Sequence, residues 1–148
     1  MQNPKPDKNI TGNIGLYYVA YKLSLLDWHV LTTSRNVKGP DLIIYDSDFC
    51  KSHTVQVKAF SEEDAIGLGT KPIIVADYIV VCNWVRDRNQ TKFFVLKKNE
   101  PQKILEDKVR NNKAPDGKGK YWIEIDEYNR FPDDELTKIG SGKHTSSG

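Results

Sequence analysis

Cysteine is scarce in this chain of 148 residues: there are two, Cys50 and Cys82, far apart and without CxxC spacing. That argues against a disulfide framework and a cysteine zinc site, and it suits a reducing cytoplasm. Histidine is nearly as rare. The three residues, His29, His53 and His144, show no HxxxH or His/Cys ligand spacing, so a zinc motif is missing. No serine stands in a GxSxG elbow, and Gly67-Leu68-Gly69-Thr70-Lys71 lacks Walker spacing. No apolar run approaches the roughly 20 residues of a membrane helix. The first residues, Met1-Gln2-Asn3-Pro4-Lys5-Pro6, are read as carrying no secretory signal, because they lack an apolar segment. Charge of one sign is also missing. Lys and Arg total 22 against 20 Asp and Glu, a net of +2, so overall charge gives no sign of a nucleic-acid partner.

What is present reads as one α/β domain over residues 11–136, with a loose arm at 1–10 and a disordered Ser/Gly tail at 137–148. Leu16, Val19, Ala20, Leu23 and Leu26 recur at steps of three and four, which predicts an amphipathic helix over 11–28 with Thr11 as N-cap. Gly15 costs that helix about 1 kcal/mol against Ala, so a packing or site reason is expected there. Strands are expected at 29–33, 41–45 and 53–60, the last two as a hairpin centred near residue 49 or 50. The acidic 61–64 segment and Gly67-Leu68-Gly69 read as a loop. Ile73-Ile74-Val75, Tyr78 to Trp84 and Lys92 to Leu96 read as further strands. Asn99 with Gln102 suggests a capping box for a surface helix to about Asn111, and Tyr121 to Ile125 an edge strand. The element order implies a central mixed sheet flanked by helices.

Chemistry concentrates in Gly39-Pro40-Asp41 and Gln56-Val57-Lys58. Side chains alternate along a strand, so Gln56 and Lys58 share one face and Val55 and Val57 the other. The hairpin register expected above sets Asp41 opposite Lys58 and Ile43 opposite Gln56, which gathers Asp41, Gln56 and Lys58 at one end of the sheet. A carboxylate and a second oxygen ligand suit Mg²⁺, and a lysine can stabilise charge on phosphate oxygens. The same residues also read as a polar strand face and a turn aspartate.

Gly39-Pro40-Asp41, a gap of 14 residues, then Gln56-Val57-Lys58 resembles the PD-(D/E)XK nuclease superfamily, in the variant with Gln for the second acid. Gly12-Asn13-Ile14-Gly15, Leu26-Asp27-Trp28-His29-Val30, Thr33-Ser34-Arg35-Asn36, Ala76 to Val81 and Phe93 to Leu96 are similar to its flanking elements. The resemblance implies a restriction endonuclease-like αβββαβ core that binds DNA and hydrolyses phosphodiesters with Mg²⁺, or Mn²⁺ in its place. By position, Asp41 is then the metal-binding acid and Gln56 replaces the second acid. The Val57 carbonyl becomes a further ligand, and Lys58 the catalytic lysine. The chain departs at Leu16, where many members carry Glu, and at the neutral Gln56. A catalytically impaired DNA- or protein-binding module is therefore the alternative. Glu62, Glu63 or Asp64 is a candidate substitute acid, against the plainer role of a solvated loop.

The near-neutral total hides opposed blocks. Residues 86–120 carry a net of +6 and residues 121–136 a net of −5. A DNA backbone is expected to follow the basic segment and the Asp41–Lys58 edge, through Arg35, Lys38, Arg86, Arg88, Lys92, Lys113 and Lys118. A homodimer is expected as well, because cutting both strands of a duplex commonly needs two sites.

Overall fold

The computed structural model describes residues 4–34, 39–111 and 119–143. Helix α1 (Lys8–Leu25) leads into β1 (His29–Thr32), β2 (Leu42–Tyr45) and β3 (Ser52–Ala59). Then come β4 (Ile66–Gly69), β5 (Tyr78–Asn83), β6 (Lys92–Lys97), α2 (Asn99–Arg110), β7 (Tyr121–Ile123) and the short α3 (Ile125–Tyr128). The expected α/β class holds: a mixed five-stranded sheet runs in the order β1-β2-β3-β5-β6. Only β3 and β5 pair in parallel within it.

Both faces of that sheet are covered around β5, all six of whose residues are buried. On one side α1 brings Val19 and Leu23 against Leu42, Ile44, Val55 and Val80. On the other, Ile79, Val81 and Leu96 meet Leu105 of α2, Ile123 of β7 and Tyr128 of α3. The continuous apolar reading of β5 has this cause: neither face is left to water.

The structure corrects several boundaries. Helix α1 starts earlier than expected because Asp7, not Thr11, caps it, its Oδ1 accepting from the amides of Asn9 and Ile10 at 2.8 and 3.3 Å. Residues 8–10 of the expected arm therefore belong to the helix. Thr11 is buried, and its hydroxyl accepts from Arg86 Nε at 3.0 Å. Glycine 67 and its neighbours form no simple loop: β4 pairs antiparallel with β7 as a second, two-stranded sheet. Ile73-Ile74-Val75 is not a strand. Gln102 holds that stretch instead, accepting from the Ile74 amide and donating to the Pro72 carbonyl, both at 2.9 Å. Gln102 is thus spent on another segment, and α2 begins after Lys98 with no side-chain cap from Asn99. The capping box lies elsewhere, at Glu124 and Glu127 of α3.

The tail expected from residue 137 is packed as far as Lys143. Ile139 is buried in the α1-side core, Trp28 Nε1 donates to the Gly140 carbonyl at 2.9 Å, and the Gly142 amide donates to the Leu26 carbonyl. Among the described residues no helix is long and apolar enough to cross a membrane.

Candidate functional site

The β2–β3 hairpin decides where the chemistry falls. Its register pairs Leu42 with Val55 and Tyr45 with Ser52, so the expected partnership of Asp41 with Lys58 is corrected by two residues. The cause is the turn. Phe49 takes a left-handed conformation at φ 57°, its amide donates to the Asp46 carbonyl, and Asp46 Oδ1 accepts from the Cys50 amide. This closes the hairpin one residue earlier. A slip of two leaves every strand side chain on its face, so Gln56 and Lys58 stay on the side away from α1, and Asp41, just ahead of β2, meets β3 through its carboxylate.

Asp41 is fixed from three directions. Its amide donates to the Val55 carbonyl at 3.0 Å, and its carbonyl accepts from the Thr33 amide at 3.0 Å. Its Oδ2 accepts from the Val57 amide at 2.8 Å. The Thr33 hydroxyl also donates to the Pro40 carbonyl, pinning the turn before Asp41 to the end of β1. One carboxylate oxygen is therefore held against the backbone of residue 57, between Gln56 and Lys58.

Lys58 is half-buried. Burial lowers its pKa from the ordinary 10.5, and the nearby negative charge of Asp41 partly opposes that shift. With Gln56 it lines a cavity of about 300 Å³, whose other walls include Gly39, Gly67, Gly69, Ile74 and Ile79. The β4 wall is mostly bare backbone, since a Cβ on Gly67 or Gly69 would meet nothing within 4 Å. The wall escapes sequence reading because two glycines read as a turn; Thr33 and Gln102 likewise carry no local signal of their roles.

Oxygen donors are at hand for a hard cation in the Asp41 carboxylate, the Gln56 amide oxygen and the Val57 carbonyl. Mg²⁺ usually keeps several waters and takes one or two carboxylates plus substrate phosphates. One carboxylate fits that pattern at its lower limit. The first helix adds none, because Leu16 packs against the α1-side core. The backbone of the acidic loop is tied down at the end of β5 and on α3: the Glu62 carbonyl accepts from the Trp84 amide, and the Asp64 carbonyl accepts from Tyr128 Oη. Among the described residues no group of three or more His, Cys, Asp or Glu could hold a metal ion. Asp77, at the far end of the sheet, accepts from the Thr54 amide and hydroxyl at 2.9 and 3.2 Å, a structural role.

The basic residues divide. Arg35, Lys38, Lys113 and Lys118 lie outside the described residues. Lys58 pairs with Val81, and Lys92 with Asn83, so Arg86, Arg88 and Lys92 sit at the Lys58 end of the sheet. Arg86 is committed to the start of α1, through Thr11 and the Asp7 carbonyl. Arg88 and Lys92 are exposed. Lys97 and Lys98 line a depression with His53 and Asp77 at the opposite end. Lys108 is buried, donating to the Trp122 carbonyl and paired with Glu127. The segment is therefore not one continuous stripe. No family model, curated protein or solved structure matches this chain.

Proposed function

We propose that this chain is a Mg²⁺-dependent DNA endonuclease of restriction or resolvase type, built on a restriction endonuclease-like core. The observation that carries the proposal is the Asp41–Val57–Lys58 arrangement: a carboxylate clamped to the backbone beside a half-buried lysine that shares a cavity with Gln56. The order α1, antiparallel β1–β2–β3, then a strand parallel to β3 supports the fold assignment. The stretch between β3 and β5 departs from the αβββαβ plan, carrying β4 where that plan has a helix.

Asp41, Gln56 and the Val57 carbonyl would hold the cation, with a substrate phosphate completing the set. An ion held there would lower the pKa of a bound water and so favour the hydroxide that attacks phosphorus. Lys58, charged and poorly solvated, stabilises the negative charge that grows on the phosphate oxygens. Asp41 keeps its orientation because the Val57 amide occupies one oxygen. Arg88 and Lys92 give the DNA backbone positive charge at the same end of the sheet.

Incubating supercoiled plasmid with the protein and Mg²⁺ or Mn²⁺ tests the proposal. Nicked or linear product is expected from the wild type, with Lys58→Ala and Asp41→Ala slower by at least a hundredfold. Intact plasmid under saturating Mn²⁺, with the protein folded, overturns it. The neutral Gln56 and the core-packed Leu16 favour a second reading, a binding module that has lost catalysis. Salt-sensitive DNA binding unchanged by Asp41→Ala, without cleavage, is its signature.

A further inference from the structure

Helix α1 is apolar on two sides. Thr11, Gly15, Val19 and Leu23 are buried against the sheet. The outward side carries Ile10, Tyr17, Tyr21 and Leu25, which are 51%, 64%, 61% and 63% exposed, with the half-buried Ile14 between them. At 3.6 residues per turn these five side chains fall within an arc of about 80°. From Lys8 to Leu25 the helix has only two charged residues, Lys8 and Lys22, and Lys22 is turned toward Glu135 and the Phe93 ring. A helix that is apolar all round belongs in an interior. A charge-depleted, tyrosine-bearing stripe is also what the centre of a protein interface looks like.

The chain's undescribed stretches do not suit this stripe. Residues 1–3, 35–38, 112–118 and 144–148 offer only Met1 and Val37 as large apolar side chains. A membrane surface fits poorly too, because interfacial helices carry Lys and Arg along the opposite face, and that face of α1 is protein core.

We infer that the stripe is the contact between two copies of this chain, with their α1 helices packed antiparallel about a two-fold axis between residues 17 and 18. A two-fold contact requires that residue i meet j while j meets i. About this axis Ile10 meets Leu25 of the second copy, Ile14 meets Tyr21, and the tyrosines at 17 and 18 lie at the centre. The stripe is thus matched to itself, apolar side chain to apolar side chain, and the two charged residues of the helix, Lys8 and Lys22, lie off it. Two tyrosines and three aliphatic side chains at these exposures offer roughly 500 Å² per copy, which with a polar rim reaches the lower range of specific interfaces. Because α1 and the Asp41–Lys58 site lie on opposite faces of the sheet, the two sites face outward. The dimer therefore does not depend on the nuclease proposal.

Sedimentation equilibrium of the full chain at about 100 μM tests the contact. Wild type is expected at twice the 16.9 kDa chain mass, and Tyr21→Glu at the chain mass with an unchanged circular dichroism melt. Leu25→Glu, at the end of the same stripe, should likewise shift it to the chain mass. A monomeric wild type overturns the proposal, whether or not it floats with phosphatidylcholine–phosphatidylglycerol vesicles. So does a dimer indifferent to Tyr21→Glu and Leu25→Glu.

Discussion

Lys58 is the residue at which stability and chemistry pull apart. The folded chain holds it where its charge is poorly solvated, and Asp41 offsets only part of that cost. Replacing it with methionine is expected to stabilise the fold by on the order of 1 kcal/mol at pH 7 while abolishing cleavage. Urea denaturation beside the plasmid assay reads both effects. The sign with pH follows from proton linkage. Between its lowered folded pKa and the ordinary 10.5, the unfolded chain binds more protons at this lysine. Wild-type stability therefore gains on the variant as pH rises through that window, and the methionine advantage, complete below it, shrinks. Cleavage falls over the same range as Lys58 loses its charge.

That Gln56 and Lys58 share a face was legible in the sequence because strand side chains alternate with a period of two, and the turn before β2 put Asp41 near them. Their register was not. It rests on the Asp46–Phe49 turn, in which a phenylalanine holds a positive φ that its residue type does not suggest.

Among the elements, the crossing of α1 over β3 sets the base of the site. A Cβ on Gly15 would stand 2.2 Å from the Cβ of Ala59, the neighbour of Lys58. This is the packing reason that the helix glycine called for. Gly15→Ala is expected to destabilise the protein by about 2 kcal/mol despite the better helix propensity of alanine. Combining it with Ala59→Gly should recover most of the loss, because the contacts left, Ala59 Cα at 3.5 Å and Val57 Cγ1 at 3.8 Å, are ordinary van der Waals distances. Thermal and urea unfolding of the two single variants and the pair measure this.

Elements with strong periodicity, α1, β3, β5 and β6, were legible to within a few residues. Those made by distant partners were not. Strand β4 exists because β7 pairs with it from more than 50 residues away. Residues 72–74 have their shape because Gln102 reaches back to them from α2. Lys108 counts as one more basic residue in sequence, but beneath Trp122 it neutralises Glu127.

At the scale of the whole molecule, the described basic residues of 86–120 include Arg88 and Lys92 at one end of the sheet, Lys97 and Lys98 at the other, and the buried Lys108. DNA affinity should therefore depend on few of those charges. Arg88→Ala and Lys92→Ala are each expected to lower the slope of log K against log salt by about one. Lys97→Ala and Lys98→Ala, at the opposite end, should leave it unchanged. Lys108→Ala should instead cost stability, about 3 kcal/mol, by leaving the Glu127 carboxylate without its partner. Binding titrations across a salt series separate these three groups.

The central claim is that Asp41 holds a catalytic cation beside Lys58. Its most direct test is anomalous diffraction from crystals of the Lys58→Ala variant grown with a short DNA duplex and Mn²⁺. The account predicts a manganese peak within direct coordination distance of the Asp41 carboxylate, with a DNA phosphate oxygen sharing the ion. Duplex bound in these crystals with no metal at Asp41 under saturating Mn²⁺ would contradict it.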